Sequence, residues 1–196
     1  MKVLLVHNKY GKFSGEEAVV RDIKALLLKN GHRIAEFERG SDEIGQMKFG
    51  KAIAFFSSFY NPFSRRRFKK ALTEMQPDIV HIHNLYPLIS PSILPIAKEN
   101  NIPVVMTVHN YRLDCPNGLY YSKGSTCERC HGGKEYWCLL RNCEENVAKS
   151  IGYALRNWFA RITRAYIDNV TVYACLTEFQ QSKIRRAGYP VERLSI

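Results

Sequence analysis

The sequence has no apolar run approaching the roughly 18 residues that a membrane-spanning helix needs, so no segment is expected to cross a bilayer. It is also short of acid. Asp and Glu number 18 against 29 Lys and Arg, a formal charge of +11. That imbalance points to an anionic partner such as nucleic acid, anionic lipid or a phosphorylated ligand, and does not choose among them. A secretion signal is missing too. The first apolar run, Val3–Val6, follows one Lys and stops at His7 and Asn8, too short for a signal-peptide core. The expected compartment is therefore the cytoplasm, where six Cys argue for thiols or metal ligands rather than disulfides. Neither GxGxxG nor a P-loop occurs, which removes the two strongest nucleotide fingerprints.

What is present is the composition of a globular protein: 45% hydrophobic and 24% charged residues in a chain of 196, enough for one full core. Lys2–His7 reads as a strand. Asn8–Gly15 reads as a loop carrying Gly11, Ser14 and Gly15, and Glu16–Asn30 as a helix with Val19, Ile23, Leu26 and Leu27 at helical spacing and Gly31 as its stop. Ser14 is the expected N-cap, and Glu17 three residues on would complete a capping box. Loop amides and a helix N-terminus can hold an anion, although a plain connecting loop would look the same.

Arg33–Glu38 is a second strand by alternation, and Gly40–Lys51 is polar without a clear period. Ala52–Lys70 then sets Phe55, Phe56, Phe59, Tyr60, Phe63 and Phe68 beside Arg65, Arg66, Arg67, Lys69 and Lys70. The stretch fits a packing face followed by a solvated basic helix. It also fits, from Phe55 to Lys70, an anionic membrane interface. Stacking on single-stranded nucleic acid is the least favoured reading. Phe68–Met75 continues a helix that Pro77 stops, Asp78–His83 is a strand with His81 and His83 on one face, and Pro91–Asn100 is a helix. Val104–Val108 is a buried strand, followed by His109, Asn110, Tyr111, Arg112 and Asp114.

Strands alternating with helices predict an α/β fold, a doubly wound, mostly parallel sheet. Three strands then end in His7, His83 and His109, each followed by an asparagine, Asn8, Asn84 or Asn110. In a parallel sheet these ends share one edge, the edge where open α/β sheets bind ligands. The expected result is a polar crevice for hydroxyls or phosphates; three unrelated polar strand ends is the competing reading.

A Cys-rich insert occupies about 115–145, opened by Cys115. Within it, Cys127-x2-Cys130 and Cys138-x4-Cys143 form a candidate set for tetrahedral structural zinc, with Cys115 and His131 as substitute ligands. Free thiols and disulfides are the alternatives. Lys149–Ile167 is an amphipathic helix with Ile151, Leu155, Trp158, Phe159 and Ile162 on its expected packing side and Arg156, Arg161 and Arg164 as its cations. Thr171–Leu176 is a sixth strand with Cys175 as a core residue, ending at Thr177 and Glu178. Phe179–Ala187 is a helix stopped by Gly188 and Pro190, and the last residues read as the start of another strand. The chain is thus expected to be one half of something longer.

Four stretches, in this order, resemble the N-terminal, acceptor-binding half of a retaining glycosyltransferase of family four with GT-B architecture. They are KVLLVHNKYGKFSGEEAVVRDIKALLLKNGHRI, PDIVHIHNLYPLISPSIL, IPVVMTVHNYRLDCPNG and VYACLTEFQQSKIRRAGYPVERLSI. The resemblance implies a single Rossmann-like domain over 1–196, with the nucleotide-sugar domain absent from this chain, which alone would be inactive. It implies transfer of a hexose from a nucleotide sugar to a glycan or lipid-linked acceptor in cell-surface polysaccharide synthesis, with no metal or other cofactor for catalysis. Gly15 and Glu16 match the loop near the donor phosphates, although many relatives have two adjacent glycines where this chain has Ser14-Gly15. His109 matches the histidine beside the transferred sugar and is the expected catalytic residue. His7, Asn8, His83, Asn84, Asn110, Arg112 and Glu178 join Gly15 and Glu16 as expected substrate contacts. A lipid-linked acceptor would place the enzyme on the inner face of the cell membrane. The rival is a Rossmann-like nucleotide- or nucleic-acid-binding module without chemistry, because fold alone does not fix function.

Overall fold

The computed structural model describes residues 1–10 and 14–196; Gly11 of the expected loop lies outside the described residues. The first elements are β1 (Lys2–Lys9), α1 (Gly15–Lys29), β2 (Arg33–Gly40), α2 (Glu43–Gln46), α3 (Gly50–Ser57), α4 (Pro62–Met75) and β3 (Ile79–Asn84). A 3-10 turn (Pro91–Ile93) leads into α5 (Leu94–Glu99), followed by β4 (Val104–Val108) and the short strands β5 (Tyr121–Ser122) and β6 (Ser125–Thr126). Then come α6 (Tyr136–Leu140), α7 (Val147–Ile162), β7 (Val172–Cys175), α8 (Glu178–Arg186), a second 3-10 turn (Val191–Arg193) and β8 (Leu194–Ser195).

Six strands form one sheet in the order β2-β1-β3-β4-β7-β8, and β5 pairs only with β6, antiparallel. The pairings of β1 with β2, β1 with β3, β3 with β4, and β7 with β8 are all parallel. With helices flanking the sheet, the fold is the expected Rossmann-like α/β fold. The strand order reverses between β1 and β3. In this topology that reversal opens a crevice beyond the carboxyl ends of the two strands.

The chain divides into two compact units, one of residues 1–107 with 169–172, the other of 108–168 with 173–196. In the first unit, Val3, Leu4, Leu5 and Val6 of β1 and Val80 and Ile82 of β3 are buried, which explains their continuous apolar runs. β1 runs on to Lys9 and pairs with β2 as far as Gly40, so His7 and Asn8 lie inside the strand rather than after it. The α1 cap is half of the expected box. Ser14 Oγ accepts from Glu17 N at 3.3 Å, while the Glu17 carboxylate turns away to accept Tyr10 N at 3.0 Å. Asn61 caps α4 by accepting Ser64 N, with Pro62 at the first turn, so the helix begins six residues before Phe68. The stretch that showed no sequence period contains α2 and the start of α3.

In the second unit, the amphipathic helix sits the other way round from the sequence expectation. The buried residues of α7 are Ser150, Ala154, Arg156, Asn157 and Ala160, whereas Leu155, Trp158 and Ile162 are exposed. Hydrogen bonding explains this orientation. Arg156 is only 4% exposed and donates from Nη2 to Pro116 O at 2.9 Å, and Asn157 Nδ2 donates to Arg112 O at 2.6 Å. Two polar side chains satisfy carbonyls of the insert, and small residues let the insert approach. The helix ends at Ile162, short of Ile167, because Arg164 takes a positive φ of 50°.

His81 supplies a pH-dependent element in the first unit. Its Nε2 lies 2.8 Å from Thr107 Oγ1, and burial pushes its imidazole from 6.5 down to about 4. A pKa lowered on folding means that the unfolded chain binds the proton more tightly. Stability is therefore full above pH 6.5 and is lost as pH falls toward about 4, by up to about 3 kcal/mol. Urea midpoints measured from pH 7 to 4 should fall with this sign, and His81→Gln should flatten the slope. Equal slopes in both proteins would exclude His81 as the source.

Candidate functional site

In the first unit the carboxyl ends of β1 and β3 gather six of the expected residues. His7 and His83 are buried, with ring centroids 6.3 Å apart and planes at 89°. His81 stacks on His83 at 4.4 Å, as expected of residues on one face. His7 Nδ1 lies 3.5 Å from Glu16 Oε1 at the start of α1, with both side chains nearly inaccessible. Burial lowers the His7 pKa against the opposing pull of Glu17 and Glu38. Tyr10, which the sequence gave no reason to select, donates from its hydroxyl to Glu16 Oε2 at 3.1 Å. A Cβ added at Gly15 would meet nothing within 4 Å. The beginning of α1 is therefore open at Gly15 and fixed at Glu16.

Asn8 and Asn84 are also there, but their side chains serve the backbone. Asn8 Oδ1 accepts Leu88 N at 2.9 Å, and its Nδ2 donates to Lys9 O and Ser41 Oγ. Asn84 Nδ2 donates to Asn8 O and Tyr86 O, and its Oδ1 accepts Tyr86 N. These two amides shape the edge of the crevice.

The remaining expected residues belong to the second unit. His109 and Asn110 follow β4 directly and are half-buried. Asn110 Oδ1 accepts Arg112 N at 3.0 Å, an Asx turn. Tyr111 N donates to Gly118 O, closing a compact loop in which Gly118 has φ +78° and a Cβ would fall 2.7 Å from Arg112 Cγ. Only glycine suits that position. Tyr111 stacks on Tyr120 at 4.6 Å and meets Phe179 edge-on at 6.3 Å, with Lys183 Nζ 5.1 Å from the Phe179 ring centre. Glu178 is exposed in the first turn of α8, where Thr177 caps by accepting Gln180 N.

The sequence pattern of Glycosyltransferase Family 4 matches residues 13–196. The chain belongs to Glycosyltransferase Family 4. One relative is an uncharacterized 42.6 kDa protein in the cps region of Klebsiella pneumoniae, 24% identical over 217 residues. That alignment takes in 96% of this chain and 52% of the relative, so the chain spans about half the length of the curated relative it matches. Among solved structures, UDP-GlcNAc 2-epimerase of Methanocaldococcus jannaschii is similar over 100% of this chain and 45% of its own, at 13% identity and a TM-score of 0.53, a likeness of fold. Anabaena Alr3699/HepE, solved with UDP and glucose, covers 100% of this chain and 43% of its own, at 14% identity and a TM-score of 0.47.

The insert of this family 4 domain departs from the zinc expectation. Among the described residues, no group of three or more His, Cys, Asp or Glu side chains is placed to hold a metal ion. Cys127, Cys130, Cys138 and Cys143 are free thiols. Cys130 and Cys138 instead join Ala154 of α7 in an apolar cluster, with Trp137, Cys143 and Tyr153 packed against it. Thiols here act as small hydrophobes. Ion pairs of Arg161 with Glu135 at 2.6 Å and Lys183 with Glu128 at 2.6 Å complete the anchorage, beside a contact of His131 Nδ1 with Asp114 Oδ2 at 3.1 Å. Tyr120 donates its hydroxyl to the same Asp114 at 2.6 Å.

Burial pushes the Cys130 thiol up to about 12 and raises Cys138 as well, so both stay protonated at neutral pH. In the native protein at pH 7.5, a thiol-specific alkylating reagent should label half-buried Cys127 and Cys143 at least tenfold faster than Cys130 and Cys138. Peptide mapping after timed labelling reads this. Equal rates would mean that the insert is open.

Proposed function

We propose that this domain is the acceptor-binding half of a retaining glycosyltransferase that moves a hexose from a nucleotide sugar to a glycan or lipid-linked acceptor at the cytoplasmic face of a membrane. The carrying observation is the family match over 13–196. A nucleotide-sugar half outside this chain is part of the proposal, and the greater length of the matched relative supports it. The relative's placement in a cps region supports a role in cell-surface polysaccharide synthesis.

The residues have distinct tasks in this reading. His109, half-buried directly after β4, hydrogen-bonds the transferred sugar, a task that needs no metal. The N-terminus of α1 carries a partial positive charge and faces the donor phosphates through Gly15, whose Cβ position meets no atom of the described residues within 4 Å. Glu16, held by Tyr10 and His7, sets the position of that turn. Arg112, Asn110 and Glu178 border the acceptor. The β1/β3 switch point, with His7 and His83 in it, is where the fold leaves a crevice.

Screening nucleotide hexoses with the full-length protein and membrane extracts tests the reaction. Once a donor is found, His109→Ala should lower kcat/KM by about tenfold or more, and near-normal turnover would remove it from the site. Gly15→Val gives a sharper reading. The added Cβ meets no atom of the described residues within 4 Å, so the melting midpoint should hold while donor KM rises by about tenfold or more. Unchanged donor KM would move the phosphates away from α1.

A further inference from the structure

Helix α3 buries small residues and leaves Ile53 and Phe56 exposed, with Phe55 half-buried against Phe56 and Phe59. Gly50, Ala54 and Ser57 face inward. Phe49 is 75% exposed, Phe56 67%, and Ile53 and Tyr60 also face solvent. Ile53 and Phe56 lie on one face of α3, and Phe49 and Tyr60 flank the helix at its two ends. Phe63, in the first turn of α4, is 77% exposed as well. Folding alone would choose the opposite arrangement, because burying a Phe or Ile gains far more than burying a Gly or Ser. Exposed large apolar side chains concentrated in one stretch, Phe49–Phe63, mark an interaction surface.

Its rim is cationic. From Ile44 to Thr73 the sequence contains no Asp or Glu, but it contains Lys48, Lys51, Arg65, Arg66, Arg67, Lys69 and Lys70. Lys48, Lys51, Arg66, Arg67, Lys69 and Lys70 are exposed. Lys48 Nζ lies 5.8 Å from the Phe49 ring centre and the Arg65 guanidinium 5.3 Å from that of Tyr60, so cations flank the rings. The bounding acids are engaged, Glu43 with Arg39 at 2.8 Å and Glu74 with Lys70 at 3.5 Å.

We infer that the α3–α4 surface docks on an anionic lipid bilayer, with Phe49, Ile53, Phe56, Tyr60 and Phe63 entering the interface and the surrounding Lys and Arg meeting acidic headgroups. Charge complementarity selects the partner. A neutral protein groove would satisfy the apolar stripe but would leave an acid-free cationic rim without purpose. Single-stranded nucleic acid would satisfy the cations, but Ile53 at the centre of the stripe has no ring face for a base to stack on. An aromatic stripe within a ring of Lys and Arg is the arrangement that interfacial helices use. The surface lies wholly in the first unit and does not depend on which sugar, if any, is transferred.

Flotation of the full-length, detergent-free protein with vesicles tests this. Vesicles of phosphatidylcholine with about one-third phosphatidylglycerol should carry the protein up the gradient, and pure phosphatidylcholine should not. Phe56→Ser with Phe63→Ser should lower the partition coefficient at least tenfold. Arg66→Glu with Lys69→Glu should do the same, since each cation near the surface contributes about fivefold. All four side chains are exposed, so an unchanged melting curve should accompany both losses. Failure to bind anionic vesicles overturns the proposal, as does wild-type partitioning by both variants. Binding to a single-stranded oligonucleotide without vesicle binding assigns the patch to nucleic acid. A dimer that Phe56→Ser dissociates, again without vesicle binding, assigns it to a second copy.

Discussion

The buried amide of Asn8 is the constraint on which the first unit depends. Its side chain is 0% exposed and holds Leu88 N, Lys9 O and Ser41 Oγ together, while its own carbonyl accepts Asn84 Nδ2. Each of those groups is a donor or acceptor removed from water, which costs about 1–3 kcal/mol if left unmet. Asn8 therefore fixes the end of β1, the end of β3 and the turn after β3 in one step. The Leu88 carbonyl carries the constraint onward, accepting both Asn61 Nδ2 and Ser64 Oγ from the start of α4. One hydrogen-bonded chain thus runs from the strand edge to the helix that presents Phe63. The crevice and the aromatic surface are rigidly related within this unit because Leu88 is bound from both sides.

The second unit is organised around α7 in a similar way. Arg156 and Asn157 satisfy the carbonyls of Pro116 and Arg112, and Ala154 receives the thiols of Cys130 and Cys138. A segment with two-residue strands and a five-residue helix is anchored on this helix. The same preference for small buried residues and polar anchors leaves Leu155, Trp158 and Ile162 outside.

That contrast shows what the sequence could disclose. The strands of the sheet, the parallel α/β class and the family were all legible, because β-branched runs report burial on both faces and motif order is a property of the chain. The facing of α3 and α7 was not. Apolar periodicity assumes that the largest side chains turn inward; in α7 hydrogen bonds to the Pro116 and Arg112 carbonyls decide the orientation instead, and α3 turns Gly50, Ala54 and Ser57 inward. The histidine and asparagine pairs were visible as residues, but not their division of labour. Asn8 and Asn84 look like ligand groups in the sequence, yet in the structure both are bonded to backbone. Likewise the Cys127-x2-Cys130 spacing was visible, but not that Cys130 and Cys138 pack against Ala154 of α7.

The histidines at the strand edge also carry less charge than their number suggests. Burial lowers the pKa of His7 below its ordinary 6.5, and that of His81 to about 4. At neutral pH both imidazoles are neutral, so the contact of His7 with Glu16 is dipolar rather than a full ion pair. An anionic ligand at this edge would therefore not be held by an imidazolium of His7. Its charge would have to be met by the amides at the start of α1, with Glu16 turned aside toward Tyr10 so that its carboxylate does not oppose them. A neutral imidazole keeps one donor and one acceptor, the pair of functions needed to read a hydroxyl. The protein's positive charge lies elsewhere, most densely along Lys48–Lys70, where it faces solvent.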